Sequence, residues 1–370
     1  MIAYKLFFMS CRVKASAMSV NDRIIDFSDK ILITGSNGFI GPRLVKTLLD
    51  YGYYNLKCSV RSTSDLTALR SVISCHSSKN VQMCTGDLLS QQDCDRLVEG
   101  VRVIYHLAAA MRDTSFESSY INNVETTRNI LNAVIKYKSL RRFVNMSSLR
   151  VYSNINLERG ALLDESCDIE ADLDGRSDAY CTAKVMQEEL VTEVCNSNNL
   201  SCVTLRPGIV YGPGNKGLHR MVGRMKEIGP WSVFIHLGGQ NVLPLSYVDN
   251  CTEAIALAGV KKGVDGEIFN VVDDDLPTSQ CFLRLYKQNV RDFLSINIPY
   301  RMFYIFSYLC ENISKLSNNK LPLPFNRKKC SAAWKGNIYS NEKLKNLLCW
   351  EPKVCFVDAL KNYFDYQKAG

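Results

Sequence analysis

Short, mostly apolar runs recur along the first half of the chain, at Ile31–Ile33, Leu56–Val60, Val81–Cys84, Val103–Leu107, Phe143–Met146 and Cys202–Leu205. Runs of this length predict strands buried on both faces. Between them apolar residues return at three- and four-residue intervals, at Phe39, Ile40, Leu44, Val45, Leu48 and Leu49 and again across Asn123–Tyr137 and Tyr180–Cys195, which predicts helices. Strands alternating with helices imply right-handed βαβ crossovers, hence an α/β fold with a doubly wound parallel sheet. From Arg206 the alternation breaks down: "RPGIVYGPG" is rich in Pro and Gly, and loops and helices alternate irregularly to the end. This later part reads as a smaller region packed over the carboxyl edge of the sheet. No internal repeat or low-complexity linker interrupts the chain.

The first strand and the first helix are joined by three glycines spaced three apart, Gly35, Gly38 and Gly41. At a helix start, free backbone N–H groups and the positive end of the helix dipole face outward, an anion site suited to a pyrophosphate. Gly35 would allow the tight turn, Gly38 the close approach of a ligand, and Gly41 the packing of helix on strand. A second feature is Tyr180, four residues before Lys184 on one predicted helix. That spacing sets both side chains on one face, where the ammonium can lower the phenol's pKa and let it exchange a proton with a substrate hydroxyl or carbonyl. Tyr53 with Lys57 and Tyr339 with Lys343 share the spacing, but only Tyr180 and Lys184 follow a serine-bearing strand end, "NMSSLRVY".

Thr34-Gly35-x-x-Gly38-x-x-Gly41, followed in order by "GDL", "HLAAA", "NNVETT", "NMSSLRVY", "YCTAK" and "RPG", resembles the extended short-chain dehydrogenase/reductase (NAD-dependent epimerase/dehydratase) family from Lys30 to about Asn270. The resemblance implies a Rossmann-type sheet: residues 29–205 as the NAD(P)-binding domain, and 206–370 as mainly a substrate-binding region partly interleaved with it. Residues 1–28 are expected to be a disordered extension. In this pattern Ser148, with Ser147 as its alternative, holds the substrate oxygen, Tyr180 moves the proton, and Lys184 also binds the nicotinamide ribose. Phe39 and Ile40 in the turn, Asp87 and Leu88 near the adenine, and Leu107, Ala108 and Ala109 at a strand end would line the cofactor. Asn123 would open the helix behind the nicotinamide, and Pro207 would lie beside the carboxamide. Asp87 reads equally as a cap of the next helix and Asn123 as an ordinary helix start. His106 reads as a packed strand-end histidine rather than a base.

At the end of the second strand Arg61 stands where an acid would favour NAD, which tips the expectation to NADP, with NAD still open through Asp65. "VYGPGNKG" and "LLCWEPKVCFVDALKNYF" resemble nucleotide-sugar epimerases and dehydratases, with Arg220, Arg224 and Arg301 as partners for a diphosphate. Against this, Ile209 stands where galactose epimerases have an asparagine, and no arginine precedes "VDN". "RPGIVYGPG" and "SYVDN" look equally like the 3β-hydroxysteroid dehydrogenase and dihydroflavonol reductase branch, in which Phe303–Tyr308 would line an apolar pocket. Asp164 and Glu165 resemble the family's structural "DE" loop. The expectation is an oxidoreductase or epimerase acting on a nucleotide sugar, the alternatives being a steroid- or flavonol-type carbonyl/alcohol oxidoreductase and a non-catalytic nicotinamide sensor or scaffold.

Composition narrows the partners. The 370 residues carry a net charge of +8 without long Lys/Arg runs, which suits a basic cleft for a small anion and argues against nucleic acid. Fifteen cysteines are scattered with no C-x-x-C or His/Cys cluster, so reduced thiols, a cytoplasmic location and no metal site are expected. The start has only a four-residue apolar run, Leu6–Met9, too short for a signal-peptide core, and its early Lys and Arg leave a transit peptide open. Ile298–Cys310 is the most apolar segment but too short to span a membrane, and reads as a buried helix or substrate lid in preference to a surface anchor. A homodimer is left open.

Overall fold

The computed structural model describes residues 22–76, 80–110, 115–176, 178–215, 222–228, 231–316 and 326–369. Seven parallel strands form its central sheet: β1 (Ile31–Thr34), β2 (Leu56–Val60), β3 (Val81–Thr85), β4 (Val103–His106), β5 (Arg142–Met146), β6 (Cys202–Pro207) and β7 (Ile268–Val271). Their order is β7-β6-β5-β4-β1-β2-β3, so the winding reverses between β1 and β4. A crevice opens there at the carboxyl ends, where open α/β sheets bind ligands. β1, β4 and β5 are buried along their whole length, which is why their sequences read as continuous apolar runs.

Helix α1 (Gly41–Asp50) buries Leu44, Val45 and Leu48 against one face of the sheet. Helix α2 (Ala179–Ser197) starts at Asp178, whose side chain accepts from the Cys181 N–H, and packs Leu190, Val191 and Cys195 against the other face. The later half of the chain returns to this sheet. Helix α3 (Val248–Val260) packs beside α1, β7 forms the sheet edge, and buried Trp350 donates from its indole N–H to the Asn250 carbonyl. The fold also begins before residue 29: the Ile24 N–H bonds the Val260 carbonyl and Ile25 is buried, so the expected extension is packed from residue 22. Residues 1–21 lie outside the described residues.

Two further expectations change. The helix expected to open at Asn123 is continuous from Phe116, passing through a π-helical turn at Ile121–Glu125 into Thr126–Tyr137. Ile298–Cys310 is not the buried helix expected of it. It joins the end of strand Ser295–Pro299 to helix α4 (Tyr300–Leu316), which buries Phe303, Ser307 and Ser314 and exposes Met302, Ile305, Phe306, Leu309 and Ile313. Phe303 meets Trp334 of helix α5 (Arg327–Trp334) edge-on, with ring centroids 5.1 Å apart. Beside α4, strand Trp231–Gly238 pairs with Gly223–Ile228 and Ser295–Pro299 in a small sheet of its own.

Candidate active site

The turn after β1 shows why glycine is needed at two of its three positions. Gly35 has φ +65°, and a Cβ there would meet the Ala108 N at 2.9 Å. The ends of β1 and β4 are therefore in backbone contact. At Gly41 a Cβ would lie 2.4 Å from the Ser36 carbonyl oxygen, so this glycine serves the turn itself rather than helix-on-strand packing. At Gly38 an added Cβ would meet only the Gly35 carbonyl oxygen, at 3.3 Å. Helix α1 opens behind this turn at Ile40, with no side-chain cap and no acid in its first turn, leaving its N–H groups available to an anion. Phe39 lies beside Arg43, whose guanidinium is 5.0 Å from the ring and also bonds the Pro213 carbonyl.

Beyond β5 the chain presents Ser147 and Ser148 in sequence. Ser148 caps the short 3-10 helix Leu149–Val151, its Oγ accepting from the Arg150 N–H at 3.2 Å. It also acts on Tyr180, favouring the ionised form of the phenol. Ser147 Oγ is buried without a hydrogen-bond partner among the described residues, and of the two serines only Ser148 figures among the groups acting on Tyr180. Lys184 stands one turn along α2, 1% exposed, with Nζ 6.0 Å from the centre of the Tyr180 ring. It donates to the Met146 carbonyl at 2.8 Å and to Gln187 Oε1 at 2.7 Å. The other two Tyr/Lys spacings share no helix: Tyr53 precedes β2 with Lys57 inside it, and Tyr339 lies on strand Ile338–Tyr339 with Lys343 on helix Glu342–Leu348.

Electrostatics corrects one part of the sequence reading. Burial raises the Tyr180 pKa above the ordinary phenol value, opposed by the Arg150 guanidinium 5.8 Å from its ring and by Ser148. The Lys184 N–H groups are directed at Met146 and Gln187, and desolvation pushes the Lys184 pKa down to about 7. Arg150 is itself held by Asp178, the residue that caps α2. His106 is fully buried between Thr34 Oγ1, 2.9 Å from Nδ1, and Thr127 Oγ1, 3.0 Å from Nε2, and desolvation lowers its pKa to about 3. It is a neutral packing group.

A buried hydrogen-bond chain that single-sequence reasoning missed ties these parts together. Gln187 donates to Thr127 Oγ1, Thr127 also meets His106, His106 meets Thr34 Oγ1, and Thr34 Oγ1 accepts from the Ala108 N–H. The available signal was Gln187 three residues after Lys184 on the same helix face. Asn123, inside the π-turn, donates to the Ser119 and Ala110 carbonyls, while its buried Oδ1 has no partner among the described residues. Leu107 and Ala108 are half-buried, Ala109 is exposed, Leu88 is buried, and Pro207 ends β6 paired with Val271.

Arg61 is exposed just past β2, its N–H bonded to Ser64 Oγ, while Asp65 is occupied by the Thr67 N–H and hydroxyl. Asp87 is not the cap of the next helix, a role taken by Ser90; its Oδ1 accepts from the Leu89 N–H instead. Asp164 accepts from Ser166, and Glu165 accepts from the Asn270 N–H at 2.6 Å, so both acids hold backbone. Arg224 and Arg301 are exposed, and among the described residues neither meets an acid; Arg220 lies outside the described residues. No group of three or more His, Cys, Asp or Glu among the described residues could hold a metal ion.

Comparison with known proteins agrees with this architecture. The family model of the NAD dependent epimerase/dehydratase family matches residues 31–271. The N-acetyl-alpha-D-glucosaminyl-diphospho-ditrans,octacis-undecaprenol 4-epimerase of Escherichia coli O157:H7 is 25% identical over 79% of this chain and 82% of its own length. The decarboxylating sterol-4-alpha-carboxylate 3-dehydrogenase of Candida albicans is 27% identical over 88% of this chain and 93% of its own. The fold resembles that of the UDP-glucuronic acid 4-epimerase of Bacillus cereus, solved with UDP-glucuronic acid and NAD, with TM-score 0.68 and 22% identity, covering 92% of this chain and 99% of that one.

Proposed function

This chain belongs to the NAD dependent epimerase/dehydratase family of enzymes, and on that premise we propose that it transfers a hydride and a proton at a hydroxyl- or keto-bearing ring carbon of a nucleotide-linked sugar. The observation that carries the reading is Tyr180 on one helix with Lys184, whose Nζ is 6.0 Å from the Tyr180 ring centre, with Ser148 acting to favour the ionised phenol. Three features fit a dinucleotide: the uncapped start of α1, the lack of a side chain at Gly38, and Asn123 Oδ1, buried with no partner among the described residues. Gly35, Gly38, Phe39, Ile40 and Gly41 would hold its pyrophosphate, Arg61 the adenosine ribose, Asp87 and Leu88 the adenine. Leu107, Ala108, Ala109, Asn123, Tyr180, Lys184 and Pro207 would hold the nicotinamide half. NAD(P), when bound there, supplies the hydride acceptor and donor.

The chain's own groups handle the proton and the orientation. Ser148 Oγ donates to the substrate oxygen and fixes it next to Tyr180. In alcohol oxidation the ionised Tyr180 oxygen accepts the hydroxyl proton as the C–H bond breaks, and in reduction the neutral phenol returns it. Arg150 favours the ionised phenol, and Lys184, pinned to the Met146 carbonyl, holds its side of the helix face rigid. Arg224 would supply a cation for a diphosphate.

The test is turnover by Tyr180→Phe across a panel of nucleotide sugars and 3-hydroxysteroids. A loss of about 100-fold or more with unchanged melting is expected; near wild-type turnover would sink the proton relay. The second reading, a sterol-type alcohol, is favoured by the length of the match to the Candida dehydrogenase, and turnover of the steroid arm alone would establish it. A nicotinamide sensor would bind cofactor and be indifferent to Tyr180→Phe.

A further inference from the structure

The described residues expose eighteen large apolar side chains, and nine of them fall between Leu294 and Leu316. Scattered surface hydrophobics need no explanation, but half of them within one strand and one helix do. On α4 they form a stripe: Met302, Ile305 and Phe306, Leu309, Ile313 and Leu316 follow one another at three- and four-residue spacing, from 49% exposed at Phe306 to 86% at Leu316. The helix is inverted relative to an ordinary surface helix. Its buried face carries Ser307 and Ser314, with Ser307 Oγ returned to the Phe303 carbonyl, while its outward face carries the large hydrocarbon side chains. Seventeen residues at about 1.5 Å each make a rod of about 25 Å. No helix among the described residues is long and apolar enough to cross a membrane.

Charge indicates what covers this face. From Tyr300 to Lys335 the sequence has seven basic residues, Arg301, Lys315, Lys320, Arg327, Lys328, Lys329 and Lys335, against one acid, Glu311, so this stretch alone carries +6 of the chain's +8. Glu311 is consumed by Arg327, with Oε2 2.8 Å from Nε, and Lys328 is held by Glu170 and Asp172. Arg301 and Lys315 remain exposed near the two ends of the stripe without an acidic partner among the described residues. A second copy seated on the same face would bring this positive segment against itself, and like charges opposed across an interface are costly. An anionic lipid surface suits both features: hydrocarbon accepts the stripe, and headgroups accept the flanking cations.

We propose that α4 is an interfacial docking element that lies flat on an anionic bilayer surface, with Met302, Ile305, Phe306, Leu309, Ile313 and Leu316 entering the acyl boundary and Arg301 and Lys315 meeting headgroups. The assignment is independent of which substrate the active site takes. The Tyr300 hydroxyl and Ser331 Oγ of α5 are 3.2 Å apart, which ties α4 to α5.

The test is co-sedimentation of the full chain with vesicles of phosphatidylcholine alone and of an equimolar mixture with phosphatidylglycerol, together with the solution mass of the free protein. Binding at least tenfold stronger on the mixture is expected, since each basic residue near an anionic surface is worth about fivefold. The double variant Ile305→Glu/Leu309→Glu should lose binding to both, and Lys315→Glu should lose several-fold on the mixture alone, each with wild-type melting. Should the double variant melt early, Leu316→Glu, at the most exposed position, replaces it. Absence of binding to either vesicle, or binding that these variants leave unchanged, overturns the proposal. A dimer in solution that the apolar-to-Glu variants dissociate, without vesicle binding, also overturns it and assigns the face to a second copy.

Discussion

The ammonium of Lys184 is enclosed by its own helix, the Met146 carbonyl and Gln187, and burial brings its pKa down to about 7 from the ordinary lysine value near 10.5. The folded protein therefore binds fewer protons here than the unfolded chain between about pH 7 and pH 10, so this residue makes stability rise with pH across that window. Lys184→Met should remove that rise, which melting curves at about pH 6 and about pH 9 will measure; an unchanged pH slope would mean the lysine is not desolvated. At the other end of the crevice, Arg61 is exposed while Asp65 is engaged by Thr67. Arg61→Asp is expected to lower NADP affinity and raise that of NAD, read as the ratio of the two dissociation constants, and a constant ratio would remove Arg61 from 2′-phosphate recognition. Tyr180 and Lys184 were legible because a four-residue spacing on a helix is local. The effect of one on the other was not, since it depends on where the Lys184 N–H groups point and on Arg150, which arrives from another element. Gln187 and Thr127 were illegible for the same reason: a polar side chain acquires its role only when its helix packs.

Among the elements, the turn into α1 is the one whose sequence most nearly dictates its geometry. Positive φ at Gly35 and the 2.9 Å approach to the Ala108 N together forbid a side chain. Gly35→Ala should lower stability by about 1–3 kcal/mol, the cost of a residue held in a strained backbone region, and chemical denaturation will read it; a neutral effect would show that the contact between the ends of β1 and β4 is loose. Helix α4 is the opposite case. Its apolar stripe reads as an inward face under the rule that hydrophobic spacing marks the core side. Yet the inward face is the one with Ser307 and Ser314, because small residues let α4 approach α5 and seat Phe303 on Trp334. Helical periodicity locates a stripe without saying which way it points. The Asn123 boundary failed differently: a π-turn leaves no signature in apolar spacing, so a continuous helix was divided at the residue that looked like its start.

At the scale of the molecule, the parallel sheet, its reversal between β1 and β4 and the return of α3 and β7 bring together groups separated by more than a hundred residues. The alternation of strands and helices foretold the sheet, and the ordered run of motifs foretold the family. The return of the later half was legible only as interleaving, since a helix such as α3 buries most of its residues, polar Asn250, Thr252 and Glu253 among them, and no apolar stripe marks the surface it covers. The most direct test of the dinucleotide site needs no substrate: calorimetric titration of NAD and NADP into the wild type and into Gly38→Asp, which sets a carboxylate in the open side of the turn. Saturable binding of at least one dinucleotide by the wild type, and its loss in the variant at unchanged melting temperature, are expected. A folded wild type that binds neither, or binding that Gly38→Asp leaves intact, would contradict the dinucleotide site.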